Sequence, residues 1–201
     1  MPLRVRGTLP PGGVAIVGSR TPPPSAVTFA YELALRIGEP VIAGLAPGID
    51  AAAHRGALDA GIPTVAFVAY GFGATDPPDH AGLEEAIVAA GGAVATLLPP
   101  GTAASLASRV ARDRLQAEHA RAVVLVCSES GGGAMYTMHF ARELGCPRFA
   151  VTPPAKTYEW AGNLECIADG ATALPLDVGT ALATIAVISC ASTCRRPKPR
   201  L

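Results

Sequence analysis

The 201 residues are half hydrophobic, 16% charged and formally neutral, which excludes a disordered chain and a protein that coats nucleic acid through a uniformly basic surface. That length suffices for one α/β domain with a sizeable core. Five cysteines and four histidines are dispersed without a C-x-x-C pair, so no metal site is expected. The odd cysteine count and the lack of a secretory leader or a bilayer-length apolar run point to a soluble cytoplasmic protein.

Residues 1–12 (MPLRVRGTLPPG) read as a loose leader. Residues 13–19 (GVAIVGS) form a buried-strand pattern ending in glycine. Arg20 follows, and the prolines at 22–24 bar a helix until Ser25 caps one over 26–37, with Phe29, Leu33 and Ile37 on one face. The cycle repeats as strand 41–43, helix 50–60, strand 64–69, loop GFGATDPPDH, helix 81–90 and strand 93–97. After a Pro-Pro-Gly break, a helix over 105–119 carries Arg109, Arg112, Asp113 and Arg114. Strand 122–127, the glycine-rich loop 128–133, helix 134–144 and strand 148–151 come next. Residues 176–189 read as a last helix and 195–200 (RRPKPR) as a basic, disordered tail. Strands alternating with helices of about ten residues predict an α/β fold with a mostly parallel sheet and helices on both faces, in one domain over 13–175.

In open parallel sheets, ligands sit beyond the carboxyl ends of the strands. Those ends carry four glycine-bearing corners, at 18–20, 44–50, 71–73 and 128–133. The pivotal stretch is 41–59 (VIAGLAPGIDAAAHRGALD). Gly44 and Gly48 let the backbone turn and approach a ligand, and Asp50 stands near a helix start, where it can accept from free amides. A strand, a glycine corner and a helix N-terminus suit an anion. An ordinary βα turn is the plain alternative.

Gly18 and Ser19 place Arg20 at a strand end, facing the cleft, where a guanidinium suits phosphate. The loop ESGGGAMYT can cradle a phosphate through Ser130, Gly131, Gly132 and Gly133, with the Ser130 and Thr137 hydroxyls as partners; a flexible βα loop is the alternative. Arg112 and Arg114 splay by about 200° on a helix, so one enters the cleft while the other pairs with Asp113 or Glu118. His54 reads as a structural hydrogen-bonding residue rather than a metal ligand. Tyr70, Phe72 and Tyr136 are candidate stacking platforms for a base, with core packing the alternative for Tyr70. No G-x-G-x-x-G, P-loop or G-x-S-x-G motif is present, so neither a cofactor nor a catalytic residue is expected.

These motifs, in this order, resemble the DNA-processing protein A family (DprA/Smf). VAIVGSR resembles the family's opening G-[ST]-R strand, and GLAPGIDAAAHRGAL its G-L-A-x-G-I-D-x-x-A-H-x-x-A-L segment. GFGATDPPDHAGLEEAI, LPPGT, RDR, MYTMHFARELG, FAVTPP and GNLECIADGA follow in register, so the likeness covers about 13–175. It implies an extended Rossmann-like domain and single-stranded DNA held in a phosphate-binding cleft. It also implies loading of a RecA-type recombinase, a homodimer, and no enzymatic step.

The chain departs from the pattern at several places. Pro47 replaces an arginine, Asp76 a tyrosine, Asp113 the asparagine of R-N-R and Arg109 a phenylalanine; Pro78 stands where a basic residue is common, Pro153-Pro154 replace Pro-Gly, and the glycine loop is about two residues longer. A lost cation and added carboxylates weaken phosphate binding. Two rival readings are a nucleotide-binding sensor module of the same superfamily and an enzyme resembling the lysine-decarboxylase-like nucleotide N-glycosidases. The P-G-G-x-G-T-x-x-E signature of the latter is missing.

Overall fold

A computed structural model describes residues 2–191, with side chains through 187; the basic tail expected at 195–200 lies outside the described residues. Among the described residues, eight strands form one sheet: β1 (Arg4–Gly7), β2 (Gly13–Val17), β3 (Val41–Ala43), β4 (Thr64–Phe67), β5 (Ala93–Thr96), β6 (Ala120–Leu125), β7 (Arg148–Val151) and β8 (Thr172–Leu174). Their order is β1-β5-β4-β3-β2-β6-β7-β8. Every neighbouring pair is parallel except β1–β5. All five residues of β2 are buried, as a strand covered on both faces requires, and its apolar run is therefore continuous rather than alternating.

The helices are α1 (Pro24–Arg36), α2 (Ile49–Asp59), α3 (Ala81–Ala89), α4 (Leu106–His119), α5 (Ala134–Glu143), α6 (Ala161–Ala168) and α7 (Val178–Ala191). Phe29 and Leu33 of α1, Ala53 of α2 and Ile185 of α7 pack with Ile16, Val124 and Phe149 on one face of the sheet. Ala117 of α4, Met138 of α5 and Cys166 of α6 pack with Val17, Phe67 and Leu125 on the other. Ile87 of α3 closes a third cluster with Val68, Tyr70 and Leu45. No helix among the described residues is long and apolar enough to cross a membrane.

The expected loose leader is corrected. Arg4–Gly7 pairs antiparallel with β5, from Arg4↔Thr96 to Gly7↔Ala93. Arg6 donates to Glu84 (2.9 Å) and to Glu85 (2.7 Å) on α3. The strand covers the otherwise open edge of β5, and with two arginines and one apolar side chain, largely exposed, it escapes a hydrophobicity reading. Two other expectations shift. Pro24 rather than Ser25 opens α1, with Pro23 as its N-cap, since proline suits the first helical turn. The 161–174 region, read only as a motif, supplies α6 and β8.

After β2 the chain builds outward through β3 and β4 to β5, then returns to lay β6 along the other side of β2. That reversal makes the β2/β6 boundary the topological switch point of the sheet.

Candidate functional site

A cavity of about 310 Å³ opens at this switch point. The β2–α1 loop contributes Gly18, Ser19, Arg20 and Thr21; α2 contributes Asp50; α4 contributes Arg109, Arg112, Asp113 and Gln116. Ser128, Glu129, Gly133, Tyr136 and Thr137 complete it from the β6–α5 loop and the start of α5.

Backbone hydrogen bonds fix both loops. The Ser19 amide donates to the Cys127 carbonyl (2.7 Å), and the Ile49 amide donates to the Ser19 carbonyl (3.2 Å). The β6–α5 loop is held by Asn163, which is fully buried in α6. Its amide nitrogen donates to the Val126 (3.0 Å) and Val151 (2.9 Å) carbonyls while its oxygen accepts from the Ser128 amide (2.9 Å). One side chain thus ties the ends of two strands to the loop that lines the cavity.

The floor is an ionic cluster. Arg112 is buried; it donates through Nη1 to the Gly44 carbonyl (2.6 Å) and through Nε pairs with Asp113 (2.8 Å). A Cβ on Gly44 would overlap the Arg112 guanidinium, so the missing side chain is the space the arginine fills. Asp50 does not cap α2: its Oδ2 reaches back to accept from the amides of Gly44 (3.0 Å) and Ala46 (3.4 Å), and Gly48 is the N-cap. Burial raises the Asp50 carboxyl above the ordinary range, opposed by Arg112 and the two amides. Burial likewise pushes Asp113 up to about 6, against the pull of Arg112. At the rim, Arg109 pairs with Asp76 at 3.2 Å, so two departures from the family pattern neutralise each other, as do Arg112 and Asp113.

The structure therefore gathers Gly18, Ser19, Arg20, Asp50, Arg112, Gly133 and Thr137 around one cavity. Gly44 supports its floor through Arg112, and Gly48 lies directly behind the Ser19–Arg20 backbone. Arg114 points away: it pairs with Glu118 (2.9 Å) and lies 5.5 Å from the Phe140 ring centre, the splay expected of residues two apart. Ser130, Gly131 and Gly132 do not line the cavity; Ser128, Glu129 and Gly133, at the two ends of that loop, do.

The 71–73 corner is closed by the segment before α4, with Gly71 donating to Thr102 and Gly101 to Phe72. Tyr70 is buried and donates to Glu84 (2.8 Å), so it serves the core. Tyr136 is exposed on the cavity rim, as is Leu106. His54 is structural: its Nδ1 lies 2.7 Å from the Thr64 hydroxyl, which donates to the Val41 carbonyl. Burial pushes its pKa down to about 3, keeping the ring neutral. The sequence reading missed Gln116, Thr21 and Asn163. A polar stripe at 109, 112, 113 and 116, spaced three and four apart on α4, was the available signal for Gln116.

Fold and site together define an open α/β protein of Rossmann-like type, with an arginine-bearing cleft at its switch point. The model of the DNA recombination-mediator protein A family matches residues 3–194, and the chain belongs to that family, DprA/Smf. It is similar to the DNA processing protein DprA of Mycobacterium tuberculosis, 37% identical over 164 residues, 80% of this chain and 42% of that protein. The chain thus spans less than half the length of that relative. Its fold is similar to that of DprA from Streptococcus pneumoniae (TM-score 0.83, 24% identity, 92% of this chain and 65% of the other). It is also similar to that of DprA from Helicobacter pylori, whose structure addresses a single-stranded DNA binding mode (TM-score 0.80, 22% identity, 92% and 87%).

Proposed function

We propose that this chain binds single-stranded DNA across the switch-point cleft and acts as a recombination mediator, passing the strand to a RecA-type recombinase. In this reading it is a cytoplasmic homodimer that catalyses no reaction. Arg20 carries the proposal. Arg109 and Arg112 are paired with carboxylates, whereas Arg20 is exposed at the cavity mouth with no ion pair among the described residues, next to the Ser19 and Thr21 turn. A phosphate meeting Arg20 there displaces water rather than a carboxylate, so little attraction is lost to a competing partner. Tyr136 across the opening offers a ring on which a base stacks.

The test is fluorescence anisotropy of a labelled single-stranded oligonucleotide at two salt concentrations. Arg20→Ala is expected to weaken binding about tenfold, the loss of one charge-assisted contact, and to flatten the log K against log salt slope by about 0.7. Tyr136→Ala is expected to cost about 1–3 kcal/mol with the salt slope unchanged, separating stacking from phosphate contact. Absence of binding by the wild type at low salt would remove the reading. The cavity volume also suits a mononucleotide, and free nucleotides that compete with the strand or raise the melting temperature on their own would favour the sensor module instead.

A further inference from the structure

We infer that Asp113 makes binding in this cleft proton-linked: an anionic ligand, the phosphate of single-stranded DNA, binds with uptake of a proton by the Asp113 carboxyl and is held more tightly in mild acid. The inference rests on the reading of the cleft given above. It follows from the charges that line the cavity among the described residues, three arginines (Arg20, Arg109 and Arg112) against three carboxyls (Asp50, Asp113 and Glu129). With all six ionised these charges cancel, and a phosphate that enters must compete with Asp113 for Arg112 and with Asp76 for Arg109.

Asp113 is the carboxyl placed to yield. It is 6% exposed and lines the cavity. Its salt bridge to Arg112 Nε, at 2.8 Å, is to a cation that also lines the site. Asp50, by contrast, has two backbone amides to stabilise its charge. Glu129 is only partly buried, so water screens it.

The groups facing Asp113 come from every neighbouring element. Arg112 and Arg109 share α4, Asp50 comes from α2, Arg20 from the β2–α1 loop and Glu129 from the β6–α5 loop; α5 presents Tyr136 and Thr137. Burial and the Asp50 charge raise the Asp113 carboxyl to about 6, while Arg112 and Arg20 hold it down. A phosphate bound to those arginines cancels the restraint, so protonation follows. Protonated, Asp113 releases Arg112 to the ligand.

The experiment is oligonucleotide anisotropy at about pH 5.5 and about pH 8 at constant salt, wild type beside Asp113→Asn. One proton taken up per site gives the wild type roughly a tenfold stronger preference for the lower pH than the variant has. Protonation changes elsewhere in the molecule affect both proteins and cancel in the comparison. Asp113→Asn keeps an acceptor for Arg112 and is expected to bind about tenfold tighter than wild type at the higher pH. A second measurement needs only the wild type: binding heats in two buffers of different ionisation enthalpy report the proton uptake directly. Equal pH responses in the two proteins, or binding heats that show no uptake, would overturn the inference while leaving DNA binding intact. Absence of oligonucleotide binding by both proteins at both pH values would overturn the DNA reading itself.

Discussion

Arg112→Leu is expected to cost about 3–5 kcal/mol of folding stability, lowering the melting temperature by about 10 °C or more for a domain of this size. The guanidinium is the only cation hydrogen-bonded within the buried floor among the described residues. It holds the Gly44 carbonyl and Asp113, and its charge opposes the desolvation of Asp50. Removing it leaves two carboxyls with 5% and 6% exposure and little to balance them.

The pH dependence gives the loss its signature. A carboxyl whose pKa is higher folded than unfolded adds stability that is complete below its unfolded value and disappears as pH rises through the folded value. Both Asp50 and Asp113 are already raised, and losing Arg112 raises them further. The variant's deficit should therefore be small near pH 4 and grow toward pH 8. Melting curves across that range check it, with Arg114→Leu as the control. Arg114 is exposed, pairing with Glu118 and lying over the Phe140 ring at the surface, so its loss is worth about 1 kcal/mol or less. A deficit for Arg112→Leu that matched the control at all pH values would mean the floor does not depend on its arginine.

The sheet was legible because its strands are short apolar runs bounded by glycine or proline. The limits of β3 and β7 coincide with those expected, and β6 begins two residues early at Ala120 because the chain pairs with Gly13 before its apolar run starts. β1 was not legible, since RVRG has a single apolar side chain, Val5, and its place in the sheet depends on Glu84 and Glu85, far away in sequence. In the site, Gly18, Ser19 and Arg20 followed from their position at the end of a buried strand. The roles of Asp50 and Arg112 did not. Asp50 looks like a cap in sequence, yet the Gly44–Ala46 turn brings backbone amides close enough to outcompete the helix for its carboxylate. Arg112 reaches Gly44 across 68 positions, a contact that no local pattern encodes. Asn163 binds the ends of β6 and β7 to Ser128, and nothing in GNLE announces it.

Gly48→Ala joins stability to function more directly than any other single change here. Gly48 sits at φ 78°, ψ −122°, a mirror-image extended conformation that L-residues avoid. Its missing Cβ leaves room for the neighbouring loop: a methyl would overlap the Ser19 carbonyl and lie 2.7 Å from Pro22 Cδ and 2.8 Å from the Arg20 carbonyl. Those are mostly backbone atoms, and the Ile49 amide is bonded to one of them, so they cannot swing aside as a long side chain could. Backbone strain of about 1–3 kcal/mol adds to overpacking of about 1–3 kcal/mol, for an expected loss of about 4 kcal/mol. The molecule's easiest relief is to push the Ser19–Arg20 loop away from α2. That moves the cleft arginine that has no ion pair among the described residues, and oligonucleotide affinity should fall about tenfold even where the variant is fully folded. Gly61→Ala is the matched control. Gly61 also has positive φ, +66°, but beyond its chain neighbours no atom of the described residues lies within 4 Å of its Cβ position, so Gly61→Ala should lose about 1 kcal/mol and leave oligonucleotide affinity at the wild-type value. If both variants melt alike and bind alike, the Ser19–Arg20 loop is not seated on Gly48. If only Gly48→Ala loses oligonucleotide affinity, the glycine corner between β3 and α2 is what holds the Ser19–Arg20 loop in place.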